Sequence, residues 1–464
     1  MKRLQRFKQR LLPLIRWEPD FTRLCLRMVI PIALQNLVSA SLHIVDGVMV
    51  SSLGEQAYAG VVQTNRISFL VQLFLFGAVS GAGIFLAQFW GKGDVSAMRR
   101  VQGLMLRITG GIALVFTLAV ALAPRQALGF FLPSGESFEH GLSYLLAVLP
   151  AYLITAADVV FATMLKASEQ PRIPMIASIV SIGSNTLLNY GLIYGHFGLP
   201  ALGTRGAAIA TVIAAALSLC VNVGGSYLWR LAPAAHPREW RLPDRAFLAR
   251  FFKTTVPVVF NEGLWALGIT LYSVVHGRMG DATVAAIGIA NTVDQLMFTV
   301  GWGFMNGAAV IVGRSIGAGQ EDAAYLYAKR LLLAAVVIML GMGGLLLGIR
   351  GHIVRLFNFS PQAQGLAAQV LFISAFFLSI RVFNAVNVVG VLRSGGDTVF
   401  SMLLDVGSLW LVGVPLAALV GIALHQPIAV VYLCSQAEEC LKVLLGLPRF
   451  FSRKWIHNLT RQGV

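Results

Sequence analysis

The stretch PIALQNLVSASLHIVDGVMV, residues 31–50, decides the fold class of this 464-residue chain. It is continuously apolar apart from a few polar side chains, and twenty residues of α-helix span about 30 Å, the thickness of the hydrocarbon core of a bilayer. Apolar residues follow one another instead of alternating with polar ones, which favours a helix over a strand of a membrane barrel. We therefore predict a transmembrane helix here.

The rest of the chain has the same character. Hydrophobic residues make up 57% and charged residues only 12%, whereas soluble domains carry about 25% charged residues, so a soluble enzyme and a disordered chain are both excluded. The four cysteines form no CxxC pair, which predicts neither a disulfide framework nor a zinc site. About twelve spans follow, near residues 26–50, 58–90, 101–123, 141–165, 173–195, 205–229, 251–277, 283–313, 331–349, 365–392, 399–422 and 427–448.

The net charge of +16 follows from where the basic residues lie. Most Lys and Arg residues fall in the two tails or near the loops after every second span, and the intervening loops hold only Arg125, Arg205, Arg278, Arg350 and Arg355. This bias predicts a multi-pass protein of the inner membrane with both termini in the cytoplasm. The charge therefore needs no nucleic-acid partner.

The two halves of the chain form an internal repeat. A constant offset of 226 residues pairs Pro31 with Pro257 and Asn65 with Asn291, and it also pairs a series of glycines between residues 31 and 93 with their counterparts. Because the offset encloses an even number of spans, both halves enter the membrane in the same direction. The repeat predicts two six-helix lobes around a central cavity that work by alternating access.

The predicted division follows from these spans and from the proline-rich, basic segment between the halves. It comprises a basic N-terminal tail (1–24), a first lobe (25–230), a cytoplasmic linker (231–250), a second lobe (251–448) and a C-terminal tail (449–464). Residues 1–17 place apolar residues at helical spacing among Lys and Arg, which fits an interfacial amphipathic helix or a frayed basic tail. No phosphate-binding G-x-x-x-x-G-K-[ST] motif is present, so uphill transport would draw on an ion gradient.

Polar side chains fall on single helical faces within the first lobe. Asn36, Ser39, His43 and Asp46 follow at helical spacing in the first span; Asn185 and Asn189 do so in the fifth, and Thr211 lies in the sixth. Ionisable groups inside a membrane are costly and are therefore functional candidates. A carboxylate with amide and hydroxyl oxygens suits H⁺ or Na⁺, and interhelical hydrogen bonding is the structural alternative.

The second lobe carries Glu262 near the middle of the seventh span, with Trp265 one turn on. We predict that Glu262 binds a proton or cation, and the structural alternative is an ion pair with Arg381. For Asp405, a salt bridge to Arg393 is the alternative to a transport role. Further residues predicted to line the substrate cavity are Asn36, His43, Asp158, Trp265, Asp294, Arg381, Asn384 and Asp405.

Several of these stretches resemble one family. PIALQN and IVDGVMVSSLGEQAYAG near the first span, SNTLLNYGLIYGHFGLPALGTRGAAIAT across spans five and six, PVVFNEGLW in span seven and LRSGGDTVFSMLLDVGSLW across ten and eleven are similar to the multidrug and toxic compound extrusion (MATE) transporters. The resemblance covers nearly the whole chain. It implies a twelve-helix antiporter without a cofactor, in which Na⁺ or H⁺ enters while an amphipathic, often cationic compound leaves.

The resemblance also assigns residues. It places ion coupling on Asp46, Asn185, Asn189, Thr211 and Glu262, with Asn189 standing where several members carry Asp. We expect a monomer in the lipid bilayer with a small-molecule substrate. The alternatives are a lipid-linked oligosaccharide flippase of the same superfamily and a major-facilitator transporter; a membrane enzyme is disfavoured because no metal or nucleophile constellation is visible in the sequence.

Overall fold

A computed structural model describes residues 17–357 and 359–461, and the described chain is built from α-helices. In chain order the helices are α1 (Pro19–Ser51), α2 (Glu55–Lys92), α3 (Val95–Leu122), α4 (Pro124–Gly129), α5 (Glu136–Ala167), α6 (Arg172–Tyr194), α7 (Thr204–Leu228), α8 (Arg245–Arg278), α9 (Asp281–Gly317), α10 (Glu321–Arg355), α11 (Pro361–Arg393), α12 (Thr398–Ala423), α13 (Ile428–Ser435) and α14 (Ala437–Phe451). The predicted amphipathic helix of the tail lies, except for Trp17, outside the described residues.

Eleven of the described helices are long and apolar enough to cross a membrane, which confirms the predicted all-α, multi-pass fold. The twelfth predicted span corresponds to two shorter helices, α13 and α14, that meet at Gln436. Glu438, Glu439 and Lys442 follow directly on that junction. These charges explain why the segment is less apolar than the other spans.

The described chain forms two compact units. The C unit comprises 17–33 and Phe260–Arg461, and the N unit comprises Leu34–Val259. The predicted linker 231–250 therefore lies inside the N unit, and the unit boundaries fall within α1 and α8, shortly after Pro31 and Pro257. The two boundaries are themselves 226 residues apart, so the division follows the internal repeat.

Close helix packing in the N unit depends on glycine. A side chain at Gly60 of α2 would collide with the α5 backbone at Ser137 and Gly141. The approach brings the hydroxyl of Thr64 within 3.1 Å of the carbonyl oxygen of Gly141, to which it donates. Small residues at helix contacts are typical of membrane bundles.

The linker after α7 is fixed to α3 of the same unit. Arg99 forms an ion pair of 2.6 Å with Glu239, and Trp240 packs on Gly103, where no side chain would fit. The backbone N–H of His236 donates to Glu239 at 2.7 Å. This hydrogen bond, together with Arg99, lowers the pKa of Glu239, so the carboxylate stays charged and holds the linker in place.

The tail after α14 is fixed to the C unit in a similar way. Trp455 is fully buried, and its indole N–H donates to the carbonyl oxygen of Phe450 at 3.0 Å. The backbone N–H of His457 donates to the carbonyl oxygen of Gly395 at 2.8 Å. The last described residues therefore cover the loop that joins α11 and α12.

Candidate ion-binding site

The Asp46 cluster lies in the N unit and joins α1, α6 and α7. The side-chain amide of Asn189 donates to Asp46 Oδ1 at 2.6 Å and to Asn185 Oδ1 at 3.0 Å. The amide of Asn185 in turn donates to Thr211 Oγ1 at 3.4 Å. The structure thus brings together the four residues of this lobe, Asp46, Asn185, Asn189 and Thr211, that were predicted to take part in ion coupling.

Local structure explains this convergence. Asn185 and Asn189 lie one turn apart on α6 and therefore share a face. A side chain at Gly206 of α7 would collide with the α6 backbone at Leu192 and Ile193, so glycine lets α7 approach until Thr211 reaches Asn185. Asn189 is fully buried, and its Oδ1 has no hydrogen-bond partner within the described ranges.

Tyr144 of α5 belongs to the same cluster, although the sequence did not single it out. It is buried and lies close to Thr211 and to the charge of Asp46. A lone tyrosine in an apolar span gives no sign of its neighbours, because periodicity on one helix does not show which side chains another helix brings close.

The Asp158 cluster is a second polar group in the N unit. Ser218 donates its hydroxyl to Asp158 Oδ2 at 2.9 Å, and Asn222 donates its amide to Asp158 Oδ1 at 2.7 Å. The sequence predicted Asp158 but missed Ser218 and Asn222. A usable signal existed, since both lie two and three turns beyond Thr211 on the same face of α7.

Glu262 and Arg393 form an ion pair of 2.8 Å in the C unit, with Arg393 almost completely buried. The alternative weighed from the sequence, a pair between Glu262 and Arg381, was therefore wrong in its partner. Removing one member of a buried pair leaves an uncompensated charge. Glu262 is thus held by Arg393 in this structure.

Arg381 instead binds Asp294, at 2.8 Å. Ser374 bridges the two, donating to Asp294 and accepting from Arg381. Tyr432 also donates to Asp294, at 3.3 Å. Asp294 and Arg381, both predicted to line the substrate cavity, are thus bound to each other and to Ser374. Asp294 also contacts Tyr432 on α13.

Asp405 pairs with Lys442 of α14 at 2.9 Å and accepts the amide of Asn261 at 3.1 Å. The predicted alternative of a salt bridge to Arg393 was therefore also wrong. Lys442 contacts Glu439 as well, at 3.2 Å, and Asn384 donates to Glu439 at 2.6 Å. Lys442 and Glu439 escaped prediction because they lie in the least apolar span.

The remaining predicted residues join no cluster that the structure resolves. Trp265 is exposed on α8, and the amide nitrogen of Asn36 is buried without a partner in the described part of the chain. The side chain of His43 lies outside what the structure describes. The assignment of these residues to a substrate site stays a prediction.

Asp158 of the N unit differs from three carboxylates of the C unit in the charge of its partners. In the C unit, Glu262, Asp294 and Asp405 are each bound to an arginine or lysine. In the N unit, Asp158 is bound by a hydroxyl and an amide, with no Lys or Arg nitrogen within 4.0 Å among the described residues. Asp158 is therefore held by neutral donors, an arrangement that permits a change of charge.

Comparisons with known proteins agree with this architecture. The family model MatE matches residues 31–191 and 257–419. "Probable multidrug resistance protein NorM" of Thermotoga maritima is 24% identical over 96% of each chain, and the protein of that name from Brucella suis is 28% identical over 87% of each.

Solved structures show the same fold. A Vibrio cholerae MATE transporter superposes with a TM-score of 0.86 at 16% identity, covering 93% of this chain and 97% of that one. A transporter of the MOP superfamily from Pyrococcus furiosus superposes with a TM-score of 0.82 at 19% identity, covering 96% and 98%. The comparison structures thus share the fold over nearly the full length.

Proposed function

Because this chain belongs to the MATE family of transporters, we propose that it exports amphipathic, cationic compounds in exchange for an ion that binds at Asp46. The relatives named as multidrug resistance proteins support an efflux role. The internal repeat supports alternating access, since parallel repeats are a common basis of secondary transport. The inner membrane, cytoplasmic termini and a monomeric state are part of the same proposal.

The hydrogen bond between Asn189 and Asp46 carries the assignment of the ion site. A charged carboxylate strengthens such a bond, so protonation of Asp46 weakens the link between α1 and α6. α1 contributes residues to both units. A change in the charge of Asp46 would therefore act on a helix that belongs to both. The bond is short, at 2.6 Å.

The orientation of the Asn189 amide favours H⁺ over Na⁺ as the coupling ion. Its N–H groups are directed at Asp46 and Asn185, whereas Na⁺ would require oxygen atoms around it. With one carboxylate in the cluster, one proton changes its net charge from negative to neutral. Glu262, which is bound to Arg393, stays a secondary candidate for coupling.

Transport in proteoliposomes tests this proposal. Purified protein is reconstituted, a cationic dye is enclosed, and a pH gradient or a Na⁺ gradient is imposed separately. We expect the pH gradient to accelerate dye release and Asp46→Asn to abolish this acceleration, because asparagine keeps the shape but cannot take up the proton. Asp281→Asn, which alters an exposed carboxylate in the first turn of α9, is the matched control.

The outcomes separate the parts of the proposal. Release driven by Na⁺ alone would contradict the choice of ion, and unchanged pH-driven release in Asp46→Asn would remove Asp46 from the mechanism. No response to either gradient in the unmodified protein would contradict antiport itself.

A further inference from the structure

The Asp158 cluster lies deeper along α5 than the Asp46 cluster. Fourteen residues separate Tyr144 from Asp158, which corresponds to about 21 Å of helix. Along α7, Ser218 and Asn222 lie two and three turns beyond Thr211 on the same face. The two clusters thus occupy two levels of one helix pair, α5 and α7, within the N unit.

Among the residues that the structure describes, the groups that bind the Asp158 carboxylate are neutral. Ser218 and Asn222 each occupy one carboxylate oxygen. Lys166 on α5 acts on Asp158 only from a distance, through its charge. From α3, the group that reaches this part of α5 is the hydroxyl of Thr109, which donates to the carbonyl oxygen of Ala156.

Asn222 supplies an independent observation. It is 1% exposed, and its Oδ1 is buried without a hydrogen-bond partner among the described residues, although its amide nitrogen is engaged by Asp158. A buried unpaired carbonyl oxygen is costly and indicates a missing donor. Because the amide nitrogen faces the carboxylate, this oxygen comes to lie beside Asp158 only when the amide rotates.

Rotation of this amide would serve both charge states of Asp158. When Asp158 is ionised, the amide N–H donates to it, as in this structure. When Asp158 is protonated, the rotated amide presents its oxygen to the new O–H group. The pair can thus stay hydrogen-bonded while the charge changes from −1 to 0.

We propose that Asp158 is a second proton-binding site of this transporter, on the cytoplasmic side of Asp46. Uptake forms an O–H bond on Asp158 with a proton from water, and release returns that proton to water. Under the predicted topology, the C-terminal end of α5 is cytoplasmic. The inference rests on the proposed H⁺-coupled function for its role, but the site itself is testable without transport.

Infrared difference spectroscopy tests the site directly. Spectra of the full-length protein in lipid at low and high pH show the carbonyl stretch of protonated carboxyl groups. We expect Asp158→Asn to remove one component and Asp46→Asn to remove a different one. Asp94→Asn is the control, because Asp94 caps α3 with its carboxylate on Ala97 N and lies outside both clusters.

A second variant tests the role of the amide. Asn222→Leu removes the hydrogen-bond partner of the protonated acid, so the Asp158 component should move to higher wavenumber while the Asp46 component stays in place. This variant keeps Asp158 and serves even where Asp158→Asn fails to fold. Size-exclusion chromatography of each variant checks the fold.

Transport adds the functional readout. We expect pH-driven dye release by Asp158→Asn to fall by about tenfold or more, as when a positioned proton carrier is lost. An infrared spectrum unaltered by both Asp158→Asn and Asn222→Leu would overturn the inference. If the spectra change as expected but no gradient drives release, the proton site stands and the proposed antiport fails.

Discussion

Asn189 decides how much charge the Asp46 cluster can hold. Several MATE members are expected to carry an aspartate at this position of α6, and here its amide is bound to Asp46 instead. Two carboxylates at this distance would repel one another unless a proton or a cation joined them. We therefore expect the residue at position 189 to influence which ion the cluster favours.

Restoring the second carboxylate should change the ion. Asn189→Asp places two acidic side chains beside Asn185 Oδ1 and Thr211 Oγ1, a set of hard oxygen ligands that suits Na⁺. We expect the variant to gain dye release driven by a Na⁺ gradient at constant pH, measured in proteoliposomes. Asn185→Asp, one turn earlier on α6, is the control; equal responses in both variants would contradict a specific role of position 189.

The sequence predicted four members of the Asp46 cluster, but it predicted neither Tyr144 nor the ion pairs of the C unit. Helical periodicity shows that Asn185 and Asn189 share a face, and this information lies within one helix. The partner of Glu262 is Arg393 and not Arg381 because the rotation and depth of α11 against α8 bring Arg393 to it. The spacing of residues within one helix gives neither its rotation nor its depth against a neighbouring helix.

The linker and the C-terminal tail pack against their units in a comparable way. Each follows the last helix of one repeat, and each packs a tryptophan on a glycine: Trp240 on Gly103 and Trp455 on Gly395. Composition marked both segments as basic and cytoplasmic. It did not predict that they pack, because a charged segment after a span resembles a free tail.

Trp455 should be a main determinant of the stability of the C unit. It is fully buried, stacks on Phe450 with ring centroids 6.0 Å apart and covers Gly395. We expect Trp455→Ala to cost about 3–5 kcal/mol and to lower the midpoint of thermal unfolding in detergent. Trp229→Ala removes a tryptophan that is 59% exposed and is the matched control; equal destabilisation by both would show that Trp455 contributes no special packing.

The division of the chain into two compact units follows the internal repeat. The unit boundaries at Ala33 and Val259 obey the offset of 226 residues that relates Pro31 to Pro257. Each of these prolines lies inside a long helix that contributes residues to both units. A proline within a helix removes one backbone hydrogen bond and permits bending, so both helices are weakest near the point where one unit ends and the other begins.

Pro257→Ala tests whether this weakness matters for transport. The substitution supplies an N–H group that can bond to the carbonyl oxygen of Lys253, and it stabilises the straight form of α8 by up to about 3 kcal/mol. If alternating access requires α8 to bend, gradient-driven dye release should slow while dye affinity, measured by fluorescence polarisation, stays unchanged. Pro150→Ala alters a proline inside α5, a helix that lies wholly within the N unit, and should leave the rate unaltered. Equal rates in the unmodified protein and Pro257→Ala would show that bending at this proline does not limit transport, and slowing by both variants would indicate a general effect of helix stiffness.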